Sequence, residues 1–184
     1  MNSKNIEKMA EALLHEIEGC QPLRRGIEDT PTRVAAMYKE LFMGYYIDPK
    51  AVMSTTFTSE TDGIVVVRDI EFYSHCEHHM VPFYGHVSIG YVPGQRMVGI
   101  SKFARLVEVY SRRLQVQERM TTQIADTIME CLQPAGCIVI CNAVHLCMKM
   151  RGVKNATSST STSCLRGVFM NEGPRQEFFK LCGI

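Results

Sequence analysis

Ser74-His75-Cys76-Glu77-His78-His79-Met80-Val81-Pro82-Phe83 sets a soft metal ligand, three imidazoles and a carboxylate side by side, a density that folding alone rarely needs. One cysteine and one or two histidines make part of a zinc site, because Zn²⁺ takes thiolate sulfur and imidazole nitrogen in tetrahedral geometry. The stretch is incomplete by itself. A structural site needs four protein ligands and a catalytic one needs three with a position left for water. The fold must therefore carry another segment back to this one.

The segment that answers is Cys137 to Arg151. Read as a strand, its alternation puts Val144, Leu146, Met148 and Met150 on one face and His145, Cys147, Lys149 and Arg151 on the other. A cysteine, an imidazole and two cations then point the same way. If this strand folds back onto the first stretch, Cys76, His79 and Cys147 give a two-sulfur, one-nitrogen site with an open position, a catalytic pattern. An ion there would acidify bound water, and His78 and His145 would be left for proton transfer, for which an unperturbed pKa of about 6.5 suits imidazole. Spacing alone leaves open which of His75, His78 and His79 is the ligand, and core cysteines or a structural site remain the alternative. His15 and His86 read as surface or packing residues. Cys20, Cys131, Cys137, Cys141, Cys164 and Cys182 read as small buried hydrophobes.

Around these stretches the chain alternates helical and strand signals. Ile6, Met9, Leu13 and Ile17 mark an amphipathic helix over residues 4–18, and Asp29-Thr30-Pro31 supplies a cap and a first-turn proline for a second helix to about Tyr45. Thr55 to Gly63 reads as a connection. Ile64 to Val67 begins β structure, Tyr84 to Pro93 alternates, and Arg96 to Ile100 gives a further strand antiparallel to it. Ser101 is placed to cap a helix from Lys102 to about Arg113, and Val116 to Leu132 forms another that stops before Pro134. Thr157 to Ser163 is read as a strand rather than low complexity, and Pro174 opens a last short helix.

With 184 residues the chain is long enough for one compact unit with a real core. Its formal net charge of +1 argues against a general affinity for nucleic acid or membrane, so any anion site must be local. The eight cysteines form no secreted framework, no signal peptide precedes them, and a reducing cytoplasm is the expected compartment. No apolar run reaches about 18 residues, the length of a membrane span. Ser101-Lys102 at a helix start, with Arg105 one turn on and Arg151 and Lys149 beside the metal stretch, makes a local set for phosphate. Taken singly, each cation could equally be part of a solvated face. Glu118 alone would be an ordinary helix-start carboxylate favoured by the dipole.

Five ordered motifs together resemble the GTP cyclohydrolase I family over most of the chain. They are Asp29-Thr30-Pro31-Thr32-Arg33-Val34, Ser74 to His79, Gly99-Ile100-Ser101-Lys102-Phe103-Ala104-Arg105, Gln115-Val116-Gln117-Glu118-Arg119 and Ala143-Val144-His145-Leu146-Cys147, which Met150 to Val153 extends. The resemblance implies that Cys76, His79 and Cys147 hold Zn²⁺, and that His78, His145 and Ser101 handle protons. It implies that Glu118, with Gln117 beside it, receives the guanine edge, and that Lys102, Arg105, Arg151 and Arg33 hold ribose and triphosphate. The implied reaction opens the imidazole ring of GTP at C8, releases formate and recloses the chain to 7,8-dihydroneopterin triphosphate, the entry to pterin and folate synthesis. The implied fold is α+β of the tunnelling type, with antiparallel sheets joined between subunits into a barrel and helices outside. Residues 1–45 would be a helical region and 46–184 the catalytic domain. The implied assembly is a homodecamer of two pentamers with sites between subunits, cytoplasmic, with GTP as partner and no nucleic acid or membrane. His75, Cys137 and Cys141 carry no role in the resemblance. A related purine or pterin enzyme of the same fold, and an oligomeric nucleotide-binding module with a structural zinc, are the competing readings.

Overall fold

The computed structural model describes residues 1–19 and 21–183, so the reading of Cys20 lies outside the described residues. They divide into two compact units, Met1–Met43 and Gly44–Ile184. In the first, α1 (Ser3–Glu18) starts at Asn2, whose side chain accepts from Asn5 N–H, and ends at Gly19 in the left-handed region, whose N–H donates to His15 O at 2.9 Å. Its apolar stripe of Met9, Leu13 and Ile17 is exposed. Helix α2 (Thr30–Leu41) carries Pro31 in its first turn as the sequence predicts, but Asp29 makes no capping bond. Its carboxylate accepts from Arg33 at 3.4 Å instead.

The helix expected to run to Tyr45 stops at Leu41, and a 3-10 turn, Met43–Tyr46, follows. At Gly44 a Cβ would fall 2.1 Å from Val109 O, and its N–H donates to Arg112 O at 3.1 Å, so the backbone is committed elsewhere. In the second unit come α3 (Pro49–Val52), β1 (Thr56–Thr58), β2 (Val65–Cys76), β3 (Pro82–Val92), β4 (Arg96–Val98), α4 (Ser101–Ser111), β5 (Leu114–Gln115) and α5 (Gln117–Leu132). Then follow β6 (Gly136–His145), α6 (Leu146–Lys149), β7 (Thr160–Gly167), a 3-10 turn over Val168–Met170, and α7 (Glu172–Cys182).

The main sheet has the order β5-β2-β3-β6-β7, antiparallel except where β5 runs parallel to β2. Strand β4 pairs with β1, not with β3 as expected, so the connection predicted over 55–63 contains a strand. The reason is hydrogen-bonding capacity: both edges of β3 are already taken by β2 and β6. Alternation along β3 turns Phe83, Val87, Ile89 and Tyr91 inward, where they meet Phe103, Leu106 and Val107 of α4 and Met120, Ile124 and Ile128 of α5. Burying each such side chain contributes about 1.5–3 kcal/mol. The opposite face keeps Tyr73, Tyr84, His86 and Asn142 exposed. Ser101 is the first residue of α4 rather than its cap; Ile100 holds that place, without a side-chain bond.

The strand read through Arg151 ends at His145, and Cys147 lies in the single helical turn α6. Both neighbours of β6 run out there. The β3 ladder finishes at Phe83↔His145, just before Pro82 with its missing N–H, and the β7 ladder finishes at Thr160↔Ala143. Without partners the backbone closes its own hydrogen bonds, as in Met150 N–H to Leu146 O at 2.9 Å.

One ladder position is tight. A Cβ on Gly85 would sit 1.9 Å from Asn142 O and 2.8 Å from Ala143 Cα, so β3 and β6 approach in a way only glycine permits. Replacing Gly85 by alanine is expected to cost about 3 kcal/mol through forced separation of these strands. A thermal midpoint lowered by several degrees in calorimetry is the expected outcome. A variant as stable as the parent would show that the ladder yields freely here.

Candidate metal centre and its flanking groups

The sheet order decides which chain ends meet. Because β3 lies antiparallel between β2 and β6, the end of β2, the start of β3 and the end of β6 meet at the same end of the sheet's strands. Cys76 closes β2, and Cys147 lies two residues past β6. Between β2 and β3 the chain makes a tight turn: Cys76 N–H donates to Val81 O at 2.9 Å, and Met80 N–H donates back to Cys76 O at 2.8 Å. Met80 takes a left-handed φ of 53°, a conformation uncommon for a residue with a side chain. The turn is tied to its neighbours by Glu77 N–H donating to Gln115 O at 3.0 Å and by an ion pair of Glu77 with Arg119 on α5.

The ligand atoms of Cys76, His79 and Cys147 all lie within 4.8 Å of one another, and among the described residues this trio alone forms such a group. The donor set fits zinc. A tetrahedral ion with ordinary bond lengths separates sulfur from nitrogen by about 3.6 Å, and Cys76 Sγ lies 3.7 Å from His79 Nδ1. His78 Nδ1 is equally 3.7 Å from Cys76 Sγ, so proximity to Cys76 does not separate the two histidines; Cys147 does, since His78 falls outside the trio. Cys76 is buried, Cys147 half-buried and His79 exposed, which leaves the group open on one side. Burial pushes the Cys147 thiol pKa up, and the neighbouring Cys76 sulfur adds to it. A cation bound here would compensate the thiolate charge that the Cys147 surroundings disfavour.

His145, the last residue of β6, stacks its ring on Phe83 with centroids 4.6 Å apart and planes 3° from parallel. Its Nε2 lies 2.7 Å from Gln117 Oε1. Burial lowers its pKa, and the Glu118 carboxylate opposes that; the imidazole is thus uncharged at neutral pH with a carboxylate within electrostatic reach. His78 is largely exposed, its Nε2 3.8 Å from Glu77 Oε1. His75, by contrast, is buried between β5 and β3, where burial lowers its pKa and Arg112 adds to the effect.

The sequence-predicted anion set is dispersed. Ser101 and Lys102 open α4, and Arg105 faces a separate cavity of about 250 Å³ with Glu71, Tyr73, Glu108 and Arg112. Arg151 follows α6, exposed, and Arg33 belongs to the N-terminal unit. Among the described residues Lys102, Arg105 and Arg151 carry no ion pair, whereas Arg33 is paired with Asp29. Cys137 and Cys141 are buried on the core face of β6, and burial pushes both thiols up, Cys141 to about 12. Gln117 is 1% exposed, with its amide held inside the chain. No spacing marks that bonding, since its partners lie on β6 and β7; nor does any signal announce Phe83 beneath His145 or Arg119 on Glu77.

Residues 6–183 match the family model described as GTP cyclohydrolase I. GTP cyclohydrolase 1 of Wolinella succinogenes is 54% identical over 157 residues, covering 85% of this chain and 84% of that protein. GTP cyclohydrolase 1 of Halalkalibacterium halodurans is 47% identical over 175 residues, covering 94% of this chain and 93% of that one. The crystal structure of the archaeosine synthase QueF-Like in the apo form shares 15% identity at a TM-score of 0.48, over 59% of this chain and 97% of that chain.

Proposed function

The chain belongs to the GTP cyclohydrolase I family, and from that premise we propose that it is a zinc-dependent hydrolase converting GTP and water to 7,8-dihydroneopterin triphosphate and formate. The observation that carries the zinc dependence is the convergence of Cys76, His79 and Cys147, the last of them two residues past His145 in the chain. A zinc ion bound there would supply Lewis-acid activation of water at the position three protein ligands leave open.

The chain's own residues do the rest. Glu118, exposed at the start of α5, accepts the paired N–H groups of the guanine edge, which suits a carboxylate's two oxygens. Lys102, Arg105 and Arg151, which carry no ion pair among the described residues, answer the triphosphate charge, with Arg33 as a further cation and Gln117 as a neighbour of the guanine subsite. His145 and His78 give and take the protons as the C8–N bonds break and formate leaves. Ser101, exposed at the start of α4, handles the ribose hydroxyls during the rearrangement that follows. Two waters are consumed in opening the ring, and one is returned when the pterin ring closes.

The dispersion of these groups supports a site completed by other copies of the chain, in a homo-oligomer that we take to be a decamer of two pentamers built on a tunnelling-fold barrel. Residues 46–184 serve as the catalytic domain. No helix among the described residues is long and apolar enough to cross a membrane, and we take the enzyme to be cytoplasmic.

Incubation of zinc-loaded protein with GTP is expected to release formate and to give a pterin that fluoresces after oxidation. Chelation is expected to abolish both products and zinc to restore them. Release of neither product by the zinc-loaded protein would sink the assignment.

A further inference from the structure

Gln117 stands at the first position of α5, almost wholly removed from solvent. Its amide nitrogen donates to Cys141 O at 3.0 Å and Thr160 O at 3.0 Å, with Thr162 Oγ1 at 3.2 Å. Its amide oxygen lies 2.7 Å from His145 Nε2. An amide has two N–H donors on one atom and only acceptors on the other, so exchanging them would press the oxygen against two backbone carbonyls. The hydroxyls around it agree in direction. Thr121 Oγ1–H donates to Gln117 O at 2.8 Å, so Thr121 Oγ1 must accept from Thr162 Oγ1–H at 2.7 Å, which leaves the Thr162 oxygen as an acceptor for the amide. The two threonine hydroxyls thus point in one direction, the amide N–H groups face oxygen acceptors, and among the described residues the side-chain oxygen of Gln117 has His145 as its hydrogen-bond partner.

We infer that Gln117 is a positioning residue: it holds the imidazole of His145 in the tautomer protonated on Nε2, so that Nδ1 is the nitrogen that exchanges protons with the substrate. A half-turn of the ring about Cβ–Cγ would replace Nε2 by a carbon at Gln117 Oε1 and lose the hydrogen bond. Stacking on Phe83 confines the ring to one plane. Gln117 therefore acts through His145 rather than on GTP, and the same arrangement ties α5, β6 and β7 to the end of the strand that leads to Cys147. The inference rests on the reading of His145 as the proton-transfer group in GTP hydrolysis.

The test is nitrogen NMR on the full-length, zinc-loaded protein labelled with ¹⁵N-histidine, the His145 signals being those lost in H145A. The expected spectrum shows Nε2 of the protonated, pyrrole type and Nδ1 of the unprotonated, pyridine type; the reverse pattern overturns the inference. This measurement needs no folded Gln117 variant. In Q117M, which keeps the side-chain length but removes the acceptor, the single tautomer is expected to be lost and kcat for formate release to fall about 100-fold, with KM for GTP unmoved. An increase in KM with kcat retained would instead make Gln117 a substrate contact and overturn the inference, as would an unchanged tautomer and rate. Should the parent protein release no formate from GTP, the hydrolase reading fails while the spectrum still decides the tautomer.

Discussion

C147A is expected to leave a folded protein without its zinc and without hydrolysis of GTP. Cys147 lies in one helical turn and is half-buried, so loss of its sulfur costs the fold only about 1 kcal/mol, within the range of ordinary substitutions. The metal is another matter. With the sulfur gone, Cys76 keeps two imidazole nitrogens at 3.7 Å, those of His78 and His79, and a ligand set drawn wholly from one tight turn lacks the donor that a second segment supplied. Loss of an outer-shell partner already costs about 10–100-fold in metal affinity, so loss of a ligand is expected to cost at least about 100-fold. Zinc content per chain after gel filtration and formate release from GTP are the two readouts, with far-UV circular dichroism confirming the fold. Stoichiometric zinc retained in C147A would remove Cys147 from the ligand set and leave the His78/His79 choice open again.

The ladder and the site were legible in the sequence to different depths. Alternation over Tyr84 to Pro93 and the β-branched run at Ile64 to Val67 identify β3 and β2, because one face of each meets a core and period-two burial leaves a period-two pattern. The same pattern misleads past His145. Alternating hydrophobicity continues through Met150, yet the backbone turns into α6 once β3 and β7 run out of partners, a limit set by residues such as Pro82 that lie far away in sequence. The pairing of β4 with β1 is hidden for a similar reason, since which edge remains free depends on strands not yet placed. In the site, residue types such as a cysteine and imidazoles advertise themselves, and Cys76, His79 and Cys147 do converge. The cluster around Gln117 has no such advertisement. Its partners Cys141, Thr160 and Thr162 are a core cysteine and two members of a serine-threonine run, and only the β6–β7 register turns their oxygens toward one amide.

H145A is expected to separate metal binding from proton transfer. The imidazole contributes nothing to the ligand trio, so zinc content should match that of the parent protein. Removing a positioned acid–base group forfeits about 10²–10⁴-fold in rate, and formate release is expected to fall by that factor. Stability should fall as well, for a specific reason: Gln117 Oε1, buried and aimed at Nε2, loses its donor, and an orphaned buried acceptor costs about 1–3 kcal/mol. Loss of the ring stacked on Phe83 adds a cavity term of the same sign. The thermal midpoint should therefore drop by several degrees while the metal stays bound. This pairing discriminates between roles, because a ligand would take the zinc with it and a merely structural histidine would lower stability with the rate intact. Loss of zinc in H145A, or an unchanged rate in a folded and zinc-loaded variant, would remove His145 from the acid–base chemistry.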